Sequence, residues 1–131
     1  MGLEANIALE QVDAKRLPYA DGQFAAIISN SIVHHIPEPA AALAEACRVV
    51  RSGGLVFVRD LLRPRTDAEV RALVETYAGD ANERQRQLFD ASLRAALSLE
   101  EIREIVATLG FDPDEARQTS DRHWTWIARK P

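Results

Sequence analysis

Two adjacent histidines, His34 and His35, are the residues of this 131-residue chain best suited to proton transfer. An imidazole titrates near neutral pH, so either side chain could take a proton from a reacting nucleophile. Adjacent histidines in a connecting loop also serve structural roles, and that alternative stays open. We expect no metal site, because the other candidate ligands, Cys47 and His123, show no short ligand spacing with this pair.

Polar residues follow an apolar run that ends just before the histidines. The run from Phe24 to Asn30 is nearly continuous, which is typical of a strand covered on both faces in a parallel sheet. Ligands of open α/β sheets bind at the carboxyl ends of the strands, so Asn30 and Ser31 are candidate binding residues. Turn residues that satisfy local backbone groups would give the same pattern.

The elements that position these residues alternate between strands and helices. Capping boxes at residues 66–69 and 98–101 mark two helix starts, and Gly53-Gly54 is typical of a helix end. The order predicts an α/β fold with a parallel sheet and right-handed crossovers. We expect strands over residues 7–12, 24–30 and 55–61, helices over residues 40–51, 82–97 and 98–109, a helix that starts at Thr66 and includes Tyr77, and two strands between residues 115 and 130.

The composition indicates one soluble domain over residues 1–131. Hydrophobic residues make up 47% and charged residues 27% of the chain, and the net charge is −4. This acidic balance disfavours nucleic-acid binding and anionic membranes. No apolar run approaches the roughly 20 residues that span a bilayer, and residues 1–6 are too polar for a signal peptide. We therefore expect a cytoplasmic protein, with Cys47 as a reduced core residue.

Sequence blocks over about residues 10–61 resemble the class I S-adenosylmethionine-dependent methyltransferases. Residues 13–24 (DAKRLPYADGQF) resemble the family pattern D-A-x-x-L-P-F-x-D-x-x-F. Residues 29–39 (SNSIVHHIPEP) are similar to its strand end and L-H-H-x-P-D-P loop. Residues 42–54 (ALAEACRVVRSGG) are similar to its E-x-x-R-V-L-K-P-G-G helix and turn. The blocks occur in the family's order.

The resemblance implies methyl transfer from S-adenosylmethionine to a small-molecule acceptor. In the family pattern, Asp13 would accept a hydrogen bond from the adenine amino group, and the Ala14 backbone would contact the ring. Asn30 and Ser31 would also bind the cofactor, and the loop of His34 and His35 would face its methyl group. Taken without the family, Asp13 would be interpreted as the cap of a turn.

The family's glycine-rich cofactor turn has no counterpart here, since no G-x-G occurs in the sequence. The resemblance thus covers the C-terminal two-thirds of the family's fold. It implies a truncated, Rossmann-like, mostly parallel sheet with an antiparallel C-terminal strand and without the first two strands. This chain alone is then expected to be impaired. The alternative function is a non-catalytic interaction fragment, either a homodimer through the exposed strand 24–30 or a subunit of a split methyltransferase.

The C-terminal half carries further expectations. Residues 62–97 would form a helical insertion that covers the substrate side. The polar sequence Arg59-Asp60, together with Arg63, is interpreted as a solvated, salt-bridged loop, with substrate contact as the alternative. Tyr77 and Phe89 are expected to lie in the core, with a place in the substrate pocket beside Arg86 as the alternative. Trp124 and Trp126 are expected to pack against a helix.

Overall fold

The computed structural model describes Gly2 and residues 4–131. Short 3₁₀ turns lie at Glu4–Asn6, Val33–His35 and Pro113–Glu115. The strands and helices, in chain order, are β1 (Phe24–Asn30), α1 (Pro39–Val49), β2 (Val50–Leu61), α2 (Asp67–Ala78), α3 (Glu83–Ala95), α4 (Leu99–Thr108), β3 (Ala116–Gln118) and β4 (His123–Arg129).

The four strands form one sheet with the order β1-β2-β4-β3. Strand β1 pairs in parallel with β2, whereas β4 pairs antiparallel with both β2 and β3. The α/β class predicted from the alternating elements is confirmed. Within the described residues only one of the three pairings is parallel, so the expected mostly parallel character holds roughly.

The strand expected over residues 7–12 does not form. This segment is extended but exposed, and Leu9 is 93% exposed. A strand needs a neighbour that accepts and donates its backbone hydrogen bonds, and no other described segment pairs with these residues. The nearest pairing is an isolated bridge between Asp13 and Arg16.

The turn expected at Gly53-Gly54 lies inside β2 instead of ending a helix. Helix α1 ends at Val49, and the chain continues directly into the strand. Gly53 has φ +78°, a backbone conformation that favours glycine. A Cβ on Gly54 would lie 2.7 Å from the Ala25 carbonyl oxygen, so glycine allows the close approach of β1 at this point.

One face of the sheet is covered by α1 and α4. Trp124 and Trp126 on β4 lie opposite Asp60 and Val58 on β2, and all four side chains are buried. Leu43 of α1 and Ile102 and Val106 of α4 pack onto the same core. The expected packing of the two tryptophans in the core is confirmed. We call this the covered face.

The other face of the sheet, which we call the open face, is largely uncovered by the described residues. Ile28 on β1 is 72% exposed and Ile127 on β4 is 51% exposed, with Phe57 of β2 between them. The strand registers place the following residues on the open face: Ala26, Ile28, Asn30, Leu55, Phe57, Arg59, Leu61, Arg117, His123, Thr125, Ile127 and Arg129. Of these, Leu61, His123 and Thr125, at the carboxyl end of β2, are buried.

Helices α2 and α3 pack together beyond the carboxyl end of β2. Thr66 and Asn82 cap the two helices, as each side chain accepts a backbone N–H of the first turn. Leu93 packs with Leu61 at the end of β2, and α3 contacts the 3₁₀ turn Val33–His35. No helix in the described part of the chain is long and apolar enough to cross a membrane.

The expectation that Tyr77 and Phe89 lie in the core is correct for Phe89 and wrong for Tyr77. Phe89 is partly buried and packs with the α2–α3 core. Tyr77 is 46% exposed, because its hydroxyl donates to the Asp121 carboxylate at 2.6 Å and its ring lies under Arg122. An amphipathic side chain of this kind keeps its polar end in solvent.

Candidate active site

A buried histidine–aspartate pair lies at the carboxyl end of the parallel strands. His34 Nδ1 is 2.6 Å from Asp60 Oδ1, and the side chains are only 6% and 1% exposed. A carboxylate accepts hydrogen bonds only, so the proton of this contact belongs to Nδ1. In the neutral imidazole, Nε2 then keeps a lone pair that can accept a proton.

Asp60 also fixes the backbone on either side of this pair. Its Oδ2 accepts the Val33 N–H at 2.6 Å, and its Oδ1 accepts the Leu61 N–H at 2.8 Å. Such charge-assisted bonds let a buried carboxylate stay in the fold. The interpretation of Asp60 as part of a solvated loop is therefore wrong. Its position on β2 turns it toward the covered face, whereas Arg59 before it turns to the open face.

His35 differs from His34 in its surroundings. Its ring centroid lies 3.9 Å from that of His34, and the residue is exposed. No hydrogen bond to another described residue orients its ring. The structure thus separates two adjacent imidazoles into one that is held and one that is accessible.

Asn30 and Ser31 lie exposed at the end of β1. Ser31 has φ +62°, an uncommon conformation for a residue other than glycine, and its N–H donates to the Arg59 carbonyl at 2.9 Å. Its hydroxyl is 3.1 Å from Asn30 Oδ1. Strained backbone of this kind is typical of functional sites, although these contacts also satisfy the turn.

The Asp13 segment borders an apolar cavity of about 290 Å³. Asp13 is exposed, and its Oδ1 accepts the Lys15 N–H at 2.9 Å, so it does cap a turn. Ala14 lines the cavity together with Val33 of the histidine loop. Ser29 lines it as well, and its buried hydroxyl has no hydrogen-bond partner among the described residues. Orphaned buried hydroxyls call for a missing partner.

Arg48 and Glu45 of α1 hold the Asp13 segment in place. Arg48 donates to the carbonyl oxygens of Leu17 and Tyr19 and to the Asp21 carboxylate. Glu45 pairs with Arg48 and accepts the Leu17 N–H at 2.8 Å. Two of the sequence blocks that carry the family resemblance therefore bind each other directly. We call these contacts the Arg48 clamp.

The Arg48 clamp shifts the titration of its carboxylate. The Arg48 hydrogen bonds, and then the Leu17 N–H, lower the pKa of Glu45 from 4.5 to about 2. Each of these donors favours the charged form of the carboxylate. The clamp therefore stays intact through ordinary acidic and neutral pH.

The residues singled out by the sequence gather around the carboxyl end of β1. Ala14 borders the cavity, Asn30 and Ser31 end the strand, and His34 follows within one turn. Sequence reasoning did not find the role of Asp60, although its parity with the buried Val56 and Val58 was a signal. Among the described residues, no three His, Cys, Asp or Glu side chains cluster as metal ligands.

Comparison with known proteins agrees with this architecture. A family model described as a methyltransferase domain matches residues 2–58. Among solved structures, a SAM-dependent methyltransferase from Thermotoga maritima is 17% identical and has a TM-score of 0.65, covering 98% of this chain and 66% of that one. The chain has the class I methyltransferase fold. The resemblance read from the sequence blocks is confirmed.

A second solved methyltransferase shares this fold. The arsenic(III) S-adenosylmethionine methyltransferase of Chlamydomonas reinhardtii is 21% identical, with a TM-score of 0.57, and the alignment covers 89% of this chain and 41% of that one. At this identity the likeness concerns the methyltransferase fold alone.

Sequence relatives extend the likeness across the whole chain. The 27-O-demethylrifamycin SV methyltransferase of Amycolatopsis mediterranei is 28% identical over 131 residues, 98% of this chain and 45% of that protein. An uncharacterized chloroplastic methyltransferase of Arabidopsis thaliana is 41% identical over 58 residues, 44% of this chain and 16% of that protein. The chain thus spans less than half the length of these relatives. In fold and in sequence the chain resembles S-adenosylmethionine-dependent methyltransferases.

Proposed function

We propose that the protein containing this chain transfers a methyl group from S-adenosylmethionine to a small-molecule acceptor. The observation that carries the proposal is the buried His34–Asp60 pair at the carboxyl end of the parallel strands. Ligands of open α/β sheets bind at this end. The relatives with methyltransferase names support the reaction class.

The residues near the cavity fit part of the cofactor. A cavity of about 290 Å³ is large enough for a planar base and too small for the whole molecule. The second carboxylate oxygen of Asp13 is available to accept an adenine amino hydrogen, and Ala14 presents backbone beside the ring. The unpartnered Ser29 hydroxyl supplies a polar group within the apolar lining. Asn30 and Ser31 lie exposed beside it as further cofactor contacts.

S-adenosylmethionine, when bound, supplies an electrophilic methyl group. The protein's own part is to hold the acceptor in line and to remove its proton where it has one. His34 Nε2 accepts that proton, while Asp60 holds the ring and balances the imidazolium charge. His35, being exposed, contacts the acceptor instead. Helices α2 and α3 lie over this end of the sheet and cover the substrate side.

Cofactor binding tests this proposal without knowledge of the acceptor. S-adenosylhomocysteine is titrated into the folded chain while the backbone amide signals are followed by NMR. We expect saturable chemical-shift changes at Ala14, Ser29 and Ser31. The affinity should be low because this chain alone has no glycine-rich turn. The variant Asp13→Ala should weaken binding about tenfold or more, the loss of one charged hydrogen bond.

The matched control is Asp80→Ala, which removes an exposed aspartate between α2 and α3. Its titration should match that of the wild-type chain. A folded chain that shows no shifts at millimolar S-adenosylhomocysteine would contradict the cofactor site. Equal loss of binding in both variants would contradict the role of Asp13.

A second candidate function is a non-catalytic interaction fragment. Strand β1 is the edge of the sheet, and its Ile28 side chain is 72% exposed. An apolar, uncharged edge strand is a template for pairing with another chain, so we propose a homodimer through β1. Light scattering should then give twice the mass of one chain, and Ile28→Lys should restore the monomer. A wild-type monomer at high micromolar concentration would contradict this dimer. A cytoplasmic location stays a prediction.

A further inference from the structure

Arg59 is a half-buried cation without a carboxylate partner among the described residues. It lies on the open face between Asn30 of β1 and Thr125 of β4. Its one side-chain hydrogen bond within the described part of the chain joins Nη2 to His123 Nδ1 at 3.3 Å. Its Nε and Nη1 groups therefore have hydrogens to donate, in the forked geometry that suits a carboxylate or a phosphate.

Two neutral groups lie beside this guanidinium. His123 is buried, and its Nδ1 is also 2.8 Å from the Ser120 hydroxyl. A guanidinium can only donate, so Nδ1 faces it with a lone pair and the ring proton lies on Nε2. The Ser120 hydroxyl therefore donates to the same Nδ1 lone pair. When an anion binds Arg59, this hydroxyl can rotate to donate to the anion, and Nδ1 of His123 can take up a proton.

The charges of the open face favour an anion as well. The charged residues that the registers place on this face are all arginines, Arg59, Arg117 and Arg129. This local positive charge contrasts with the net charge of −4 of the whole chain. Of the nearby acids, Asp60 turns to the covered face, and Asp121 is engaged by Tyr77 and Arg122.

We propose that Arg59, Ser120 and His123 form a subsite for an anionic oxygen group, carboxylate or phosphate, on the acceptor molecule. The inference rests on the proposed methyl transfer, whose substrate class it narrows to acidic small molecules. Arg59 and Asp60 are consecutive, so this subsite and the His34–Asp60 pair lie on opposite sides of the same end of β2. An acceptor lying across that end would meet both.

The titration of His123 provides the readout. Burial and then the charges of Arg59 and Arg122 lower its pKa, against the smaller opposite effects of Asp60 and Asp121. The charged and titratable groups around it are Arg59 and Asp60 of β2, Asp121 and Arg122 of the preceding turn, Tyr77 of α2 and Arg117 of β3. An anion on Arg59 offsets the positive field, so the pKa of His123 should rise on binding.

The experiment is a titration of the whole chain with inorganic phosphate and, separately, with acetate, followed by the His123 ring signals in NMR. We expect a saturable change with at least one of the two anions and a raised pKa. Arg59→Gln should weaken binding about tenfold or more, the value of a charged hydrogen bond. Arg129→Gln, which removes a cation from the far end of the same face, should leave it unchanged.

Arg59→Lys is a second variant in case Arg59→Gln does not fold. It keeps the positive charge and removes the paired N–H donors of the guanidinium. It should bind more weakly than wild type while staying folded. Linear, unsaturated changes with both anions, or equal losses in Arg59→Gln and Arg129→Gln, would overturn the subsite. The titration contains no cofactor, so its failure is distinct from a failure to bind S-adenosylhomocysteine.

Discussion

The two faces of the sheet differ in both cover and charge. On the covered face, Trp124 and Trp126 pack with residues of α1 and α4, and Asp60 is buried as well. On the open face, Ile28 and Ile127 remain exposed and the charged groups are arginines. Because β2 alternates between these faces, one short segment carries a fixed carboxylate on one side and an accessible guanidinium on the other.

The difference teaches what burial does to a polar side chain at the end of a strand. Asp60 accepts three hydrogen bonds and orients His34, so it acts on another side chain. Arg59 keeps donors without partners among the described residues, so it is suited to a ligand. Substitutions on the covered face should therefore change stability and the orientation of His34, whereas substitutions on the open face should change ligand binding.

The largest expected difference is in the free energy of unfolding of two variants of neighbouring residues on β4. Trp126→Ala removes a fully buried indole from the covered face and should lower the free energy of unfolding by about 3–5 kcal/mol. Ile127→Ala, on the open face, should change it by less than about 1 kcal/mol. Urea unfolding measures both values. Comparable losses in the two variants would mean that the open face is covered in solution.

The next effect concerns the carboxylate of the buried pair. Asp60→Ala leaves the Val33 and Leu61 amides and the His34 ring without a partner, at a cost of about 3 kcal/mol. Asp60→Asn keeps the shape of the side chain and should cost less, yet it should lower the kcat of the proposed methyl transfer about a hundredfold. The control Asp80→Ala should alter neither quantity. Full activity in Asp60→Asn would count against the role of the pair.

A smaller effect should appear in the pH dependence of stability. The pKa of Glu45 is about 2, below its ordinary 4.5, so its contribution is present above about pH 4.5 and is lost as the pH falls toward 2. Glu45→Gln should flatten the decline of the melting temperature in that window. Glu104→Gln, at an exposed position, should not. An unchanged profile in Glu45→Gln would disprove the Arg48 clamp.

The smallest expected effect is a difference in the alkylation rates of two cysteines, one buried under the covered face and one introduced on the open face. Burial raises the pKa of Cys47 to about 11, so few thiolates exist at pH 8. Alkylation of Cys47 should be slow until the chain unfolds. A cysteine introduced by Ile28→Cys, with Cys47→Ser as background, should react quickly. Equal rates at the two positions, measured by mass spectrometry, would contradict the difference in cover.

Local signals predicted the elements of this fold well. Thr66 and Ser98 mark the starts of α2 and α4 as expected, because an N-cap hydroxyl is satisfied within one turn. The complete capping box forms at Asn82 instead, at the start of α3. The strand expected over residues 7–12 fails because a strand depends on a neighbour that local sequence does not show. The fold itself followed from the order of the sequence blocks.

The sequence predicted those residues of the candidate site that lie within one local sequence motif, and it did not predict contacts between distant segments. His34 and Asp13 lie within recognisable patterns, and their surroundings at the end of β1 followed from the strand assignment. Asp60 is separated from His34 by 26 residues, and their contact depends on the pairing of β1 with β2. The same holds for Arg48, whose loop partners lie about 30 residues away.

The protonation of His34 tests the central claim most directly. Nitrogen-15 NMR of the histidine rings distinguishes the neutral form with the proton on Nδ1 from the form with the proton on Nε2. Hydrogen bonding to Asp60 predicts a proton on Nδ1 of His34, leaving Nε2 free to act as the base. A neutral His34 with its proton on Nε2 would contradict the assignment of the His34–Asp60 pair as an oriented base.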